Sequence, residues 1–167
     1  MPQSPFSPQI SSIYDTDIKY EADFCLYLTM PDEYYQFKEL THQIIGAAMR
    51  VHSFLGNGFQ EVIYQRALAY ELNQANLNFQ REQEQYIFYR ECTEPIGTRR
   101  ADFIVENKVL VELKATTKLE EVHKAQILNY LRAYRFEVGL LINFGEKSLF
   151  FKRFVMNLDD KADTTTP

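Results

Sequence analysis

Residues 100–115 read RADFIVENKVLVELKA, two short apolar runs around a polar turn, and this hydrophobic hairpin carries Asp102, Glu112 and Lys114. Strand side chains alternate faces, so Glu112 and Lys114 point one way while Val109, Val111 and Leu113 point the other. On the preceding run Ala101, Phe103 and Val105 form one set, and Asp102, Ile104 and Glu106 the other. The apolar sets share a face only in certain registers. Pairing Val105 with Val109 satisfies this and closes a three-residue turn, Glu106-Asn107-Lys108, with Asn107 or Lys108 in the left-handed region. Asp102 then stands opposite Glu112, with Lys114 one step along the same face.

Two carboxylates face to face repel, and burying them unpaired is costly. A hard divalent cation offsets that repulsion, because carboxylate oxygens are its natural ligands. Such an ion lowers the pKa of a bound water, and Lys114 would orient that water or stabilise charge developing on a phosphoryl oxygen. The competing reading is a solvated outer face on an ordinary hairpin, with Lys114 neutralising Glu112.

Working outward, Leu40, Ile44, Ala47, Ala48, Val51 and Leu55 recur at helical spacing, with Thr41 as the expected cap and Gly56-Asn57-Gly58 as the stop. A second helix is expected from about Phe59 to Asn73, burying Val62, Ile63, Ala67, Leu68 and Leu72. It carries Glu61, which is either a capping-box carboxylate three residues after an N-cap at Gly58 or a third carboxylate reaching Asp102 and Glu112. Residues 78–90 alternate as a strand or two. A third helix, Leu119 to Arg135, sets His123, Gln126 and Tyr130 on one stripe. There Gln126 and Tyr130 either contact a substrate phosphate or position the lysine, or else form a half-buried stripe with Gln126 capturing a backbone group. The segments EVGLLINF and SLFFKRF close the chain as a strand pair around Gly145-Glu146-Lys147. The order ααβββαββ indicates an α/β domain with helices packed on a mixed sheet.

The chain has 167 residues, 46% of them hydrophobic, enough for one substantial core. No apolar run reaches the roughly 18 residues of a membrane helix, and the first residues lack the pattern of a secretory signal. A soluble, cytoplasmic protein is expected. Cys25 and Cys92 are expected to be free thiols. The net charge of −5 is unevenly spread. Residues 1–37 sum to −5 and 155–167 to −2, which leaves +2 for 38–154, so a nucleic-acid partner is compatible with the charge. Residues 1–37 read as a variable, partly disordered extension suited to docking on the core or on a protein partner, and 155–167 as a disordered acidic tail.

Four elements occur in a fixed order: Gly58-x-x-Glu61-x-x-Tyr64, Arg100-x-Asp102, Glu112-x-Lys114 and Gln126-x-x-x-Tyr130. In this the chain resembles the GxxExxY proteins, a branch of the PD-(D/E)XK nuclease-like superfamily, over about residues 38–154. The resemblance implies a restriction-endonuclease-like core, a mixed sheet of about four to five strands flanked by helices. It implies Mg²⁺ or Mn²⁺ held by Asp102, Glu112, the Leu113 carbonyl and Glu61, with Lys114 acting on the attacking water. Gln126 and Tyr130 match an element of the exonuclease branch. Together with Arg100 and Tyr64 they are the expected substrate contacts. The function expected is metal-dependent hydrolysis of DNA or RNA. The alternative is a catalytically silent nucleic-acid-binding or protein-interaction module on the same fold.

Overall fold

A computed structural model of the chain describes residues 13–18 and 36–156. Its elements are β1 (Ile13–Ile18), α1 (Lys38–Leu55), α2 (Glu61–Gln74), β2 (Phe79–Ile87), β3 (Gly97–Val105), β4 (Val109–Lys114), α3 (Glu121–Tyr134), β5 (Val138–Asn143) and β6 (Phe150–Met156). From α1 to β6 this is the expected order. The strands form one sheet in the order β1-β6-β5-β4-β3-β2. Strands β4 and β5 run parallel, and their neighbours pair antiparallel. A parallel pair needs a crossover, which α3 supplies. Both central strands are covered on both faces, so VLVELK and VGLLIN read as nearly continuous apolar runs.

One face of the sheet packs against α1 and α2 through Ile44, Ala48, Val51, Leu68, Leu72, Phe103, Val111, Leu113 and Leu140. The other packs against α3 through Leu110, Ile127, Leu131, Leu141 and Phe154. In α1, Ile44, Ala47, Ala48 and Val51 are buried at helical spacing. Thr41 is not the cap: the helix begins at Lys38, and the Thr41 hydroxyl donates back to the Lys38 carbonyl at 2.8 Å. The stop is as expected, with positive φ at Gly56 (69°) and Gly58 (101°).

Helix α2 is rotated from its expected orientation. Its buried residues are Tyr64, Gln65, Leu68, Ala69 and Leu72, whereas Val62 is 38% exposed and Ile63 and Ala67 are half-buried. The rotation follows from Tyr64, whose ring stacks on Phe144 with centroids 4.6 Å apart. Its hydroxyl donates to the Gly56 carbonyl at 2.8 Å and accepts from the Phe59 N–H at 3.2 Å. Seating a large ring and satisfying its hydroxyl outweighs covering a valine.

At its start, α3 has the Glu120 N–H donating to His123 Nδ1 at 3.0 Å. His123 therefore serves the helix terminus and does not extend the stripe of Gln126 and Tyr130. Between β5 and β6, a Cβ on Gly145 would fall 2.3–2.5 Å from the Thr116 backbone, so only glycine fits.

Two sequence boundaries shift. Ile13–Ile18, inside the segment read as an extension, pairs antiparallel with β6 as a sixth, edge strand. Val155 and Met156, assigned to the tail, are buried in β6. The rest of the extension up to residue 35, with Cys25, and residues 157–167 lie outside the described residues. Cys92 is free and exposed.

Candidate active site at a fork between two strands

The register of β3 with β4 is the expected one: Phe103 pairs with Val111, Ile104 with Leu110 and Val105 with Val109. The turn has Glu106 and Asn107 in the left-handed region, Lys108 remaining outside it. Beyond Phe103 and Val111 the ladder opens. The Leu113 N–H, which a continuing ladder would direct at Ala101, donates to Asp102 Oδ2 at 2.7 Å. The Ala101 N–H donates to the Tyr134 hydroxyl at 3.2 Å. Ala101 also packs with the α3-side core, apart from Phe103 and Val105, so the expected set of three is split at Asp102. The strands part where the charged residues begin.

Asp102 and Glu112 occupy this fork and are gripped from opposite sides of the sheet, a correction to the single shared face. From α2, Gln65 Nε2 donates to Asp102 Oδ1 at 2.7 Å. From α3, Gln126 Nε2 donates to Glu112 Oε1 at 2.7 Å and to the Tyr130 hydroxyl at 3.0 Å. Lys114 Nζ donates to the same Oε1 at 2.7 Å. Glu112 is 3% exposed, so the solvated-face reading of this hairpin fails. Its second oxygen, Oε2, is buried without a hydrogen-bond partner.

Burial dominates the electrostatics. It pushes the Glu112 carboxyl up to about 8, with repulsion from Asp102 adding and the Lys114 charge opposing. Asp102 rises to about 6, again through burial first, the Leu113 N–H opposing and Glu61 adding. Burial disfavours the Lys114 ammonium, but Glu112, Glu61 and Asp102 together outweigh it and raise its pKa. Glu61, Asp102, Glu112 and Lys114 thus form one electrostatic group.

The remaining expected residues divide. Glu61 is the first residue of α2, after an N-cap at Gln60, so the capping-box position at N3 is not its place. Gln126 and Tyr130 border the fork as described. Tyr64 is fully buried, which corrects its assignment as a substrate contact. Arg100 is exposed and pairs across the strands with Glu84. Its neighbour Arg99 faces α3: it donates to the Asn129 carbonyl at 2.9 Å, and its guanidinium lies 5.9 Å from the Tyr130 ring centroid. Alternation alone hid this, since it sets Arg99 with Ala101 on the face away from Asp102, and the split at Asp102 turns both toward α3. Gln65 and Asn143 were also missed. Buried Asn143 accepts from the Thr116 N–H at 3.0 Å and donates to the Thr116 carbonyl at 2.8 Å, fastening the end of β5 to the chain just past Lys114.

The family model described as the PD-(D/E)XK nuclease superfamily matches residues 38–154. The chain belongs to that superfamily. No curated protein matches it. Among solved structures it is similar to the crystal structure of SSO0001, with 20% identity and a TM-score of 0.45, covering 76% of this chain and 63% of that one. The chain therefore spans under two thirds of that protein's length. The mixed sheet flanked by three helices is the restriction-endonuclease-like fold of a PD-(D/E)XK protein.

PD-(D/E)XK nucleases generally use divalent metals, and the fork tests whether these residues fit one. Among the described residues, no three His, Cys, Asp or Glu side chains gather as a ready-made ligand group. What the fork offers is two carboxylates, both binding protons more tightly than usual, and an unpartnered carboxylate oxygen at Glu112. The N–H and C=O of a strand residue point to the same strand edge, so the Leu113 carbonyl faces the fork as its N–H does. This all-oxygen donor set fits a hard cation that retains several waters. Glu61 acts on it through space.

Proposed function

We propose that this PD-(D/E)XK protein is a metal-dependent nuclease that hydrolyses phosphodiester bonds of DNA or RNA, within the GxxExxY branch. The observation that carries this reading is the convergence of Asp102, Glu112 and Lys114 at the fork, with Glu112 Oε2 buried and unpartnered. Asp102, Glu112 and the Leu113 carbonyl would hold Mg²⁺ or Mn²⁺, which would supply Lewis-acid charge and an activated water. Lys114, anchored on Glu112, sets a positive charge beside the scissile phosphate and stabilises the negative charge developing on its oxygens. Gln126 holds Glu112 in place and, with Tyr130 and Arg99, lines the approach from α3. The burial of Glu112 lowers the local dielectric and strengthens each of these interactions. Among the described residues no helix is long and apolar enough to cross a membrane.

Labelled single- and double-stranded DNA and RNA incubated with the protein in Mg²⁺ or Mn²⁺ test this proposal. Cleavage is expected that EDTA abolishes and Lys114→Ala sharply reduces. Cleavage indifferent to both would overturn the mechanism.

A further inference from the structure

The two carboxylates of the fork are each held by a glutamine, and only the one from α3 belongs to a sequence element already given a role. Its counterpart is Gln65, a buried side chain on α2 whose Nε2 lies 2.7 Å from Asp102 Oδ1. The placement of Gln65 follows from the residue before it. Tyr64 is bolted in position by stacking on Phe144 and by hydrogen bonds to Gly56 and Phe59, so the first turn of α2 has little freedom. That bolt directs the next side chain at β3.

A primary amide nitrogen can only donate, so the contact favours a carboxylate that accepts at Oδ1 and holds it in one orientation. Oδ2 is simultaneously fixed by the Leu113 N–H. Each oxygen therefore spends one acceptor direction on the protein and keeps another open. Without Gln65 the carboxylate would hang from a single backbone hydrogen bond in a fork where Glu61 and Glu112 repel it. We infer that Gln65 is a positioning residue, which orients Asp102 toward a divalent cation shared with Glu112. This inference rests on the metal-site reading of the fork. Groups that orient a ligand in this way typically change metal affinity about 10- to 100-fold when removed.

The test is Mn²⁺ binding to the full chain by titration calorimetry, for the wild type, Gln65→Leu and Gln65→Asn, with thermal melting of each in EDTA. Leucine fills the space without a donor, and asparagine keeps the donor one methylene short of Asp102. The expected result is a Kd for Mn²⁺ raised about 10- to 100-fold in both variants. In EDTA the melting temperature of Gln65→Leu should fall modestly, because Asp102 Oδ1 loses its donor. Nuclease activity should return toward the wild-type level at saturating Mn²⁺ for Gln65→Leu, whereas no Mn²⁺ concentration should restore Glu112→Gln. Wild-type Mn²⁺ affinity in a folded Gln65 variant overturns the inference and leaves the metal site standing. If Gln65→Leu does not fold, Gln65→Asn decides alone by the same Kd. Failure of the wild type to bind Mn²⁺ overturns the inference and the metal-site reading together.

Discussion

Leu113 gives its backbone N–H to the side chain of Asp102, at 2.7 Å, where a continuous sheet would have given it to Ala101. The exchange places a carboxylate between two strands and leaves Glu112, the residue before Leu113, with one unshared oxygen. Glu112→Gln keeps the side-chain shape but replaces the carboxyl group, so no anionic oxygen can form at this position. Divalent-cation binding should then be lost, and the metal-free protein should melt lower, because the buried Lys114 ammonium loses its carboxylate partner. Calorimetric titration with Mn²⁺ and melting in EDTA check both halves.

Lys114→Ala should separate chemistry from cation binding. The ammonium contributes charge to the site without being a ligand, so Mn²⁺ should still bind. Turnover should fall by about 10²- to 10³-fold, the scale of losing one preorganised donor to a developing oxyanion. Single-turnover cleavage at saturating Mn²⁺ is the measurement.

The metal-free protein should lose stability as pH rises from about 4 to about 8. Asp102 is raised from 3.8 to about 6 and Glu112 from 4.5 to about 8, so both hold protons more tightly folded than unfolded. Their contribution is complete below the unfolded values and is lost as pH climbs through the folded ones. Cation binding releases those protons, so Mg²⁺ should flatten this decline. Melting curves at several pH values, with EDTA and with Mg²⁺, give the comparison.

Tyr64→Phe distinguishes a core tyrosine from a substrate contact. Losing the hydroxyl removes hydrogen bonds to Gly56 and Phe59 and should destabilise by roughly 0.5–1.5 kcal/mol for each net bond. KM for a nucleic-acid substrate should not change. Denaturant unfolding and steady-state kinetics on the same preparation settle it.

Gly145→Ala should destabilise by more than the roughly 1–3 kcal/mol usual for overpacking, because its Cβ would meet backbone atoms of Thr116 that cannot rotate away. Urea unfolding measures the loss. Activity should fall with it, since the same turn fixes the chain just beyond Lys114.

The hairpin was legible because period-two alternation and apolar matching leave few registers, and the pairing of Val105 with Val109 follows from them. The sequence order of the helices and strands was legible for the same reason. The fork was not, since alternation assumes an unbroken ladder and an aspartate that takes a backbone N–H breaks it. Nor was the rotation of α2, where hydrophobicity favoured Val62 and Ile63 over a tyrosine whose partners lie at Gly56 and Phe144. Gln65 was hidden by that same error. Arg99 was passed over for Arg100 because a sequence element named the second arginine and alternation set the first away from Asp102; only the split of β3 at Asp102 turns it toward α3.

The fork also lies where two separately packed layers meet. Helix α2 is seated in one core and α3 in the other, and the sheet stands between them. Gln65 and Gln126 reach past that partition to neighbouring carboxylates. A ligand shared by Asp102 and Glu112 would therefore act as a rivet through the sheet, joining the two layers. Amide exchange in α2 and α3 should slow together when Mn²⁺ is added, and a break in either glutamine should uncouple them.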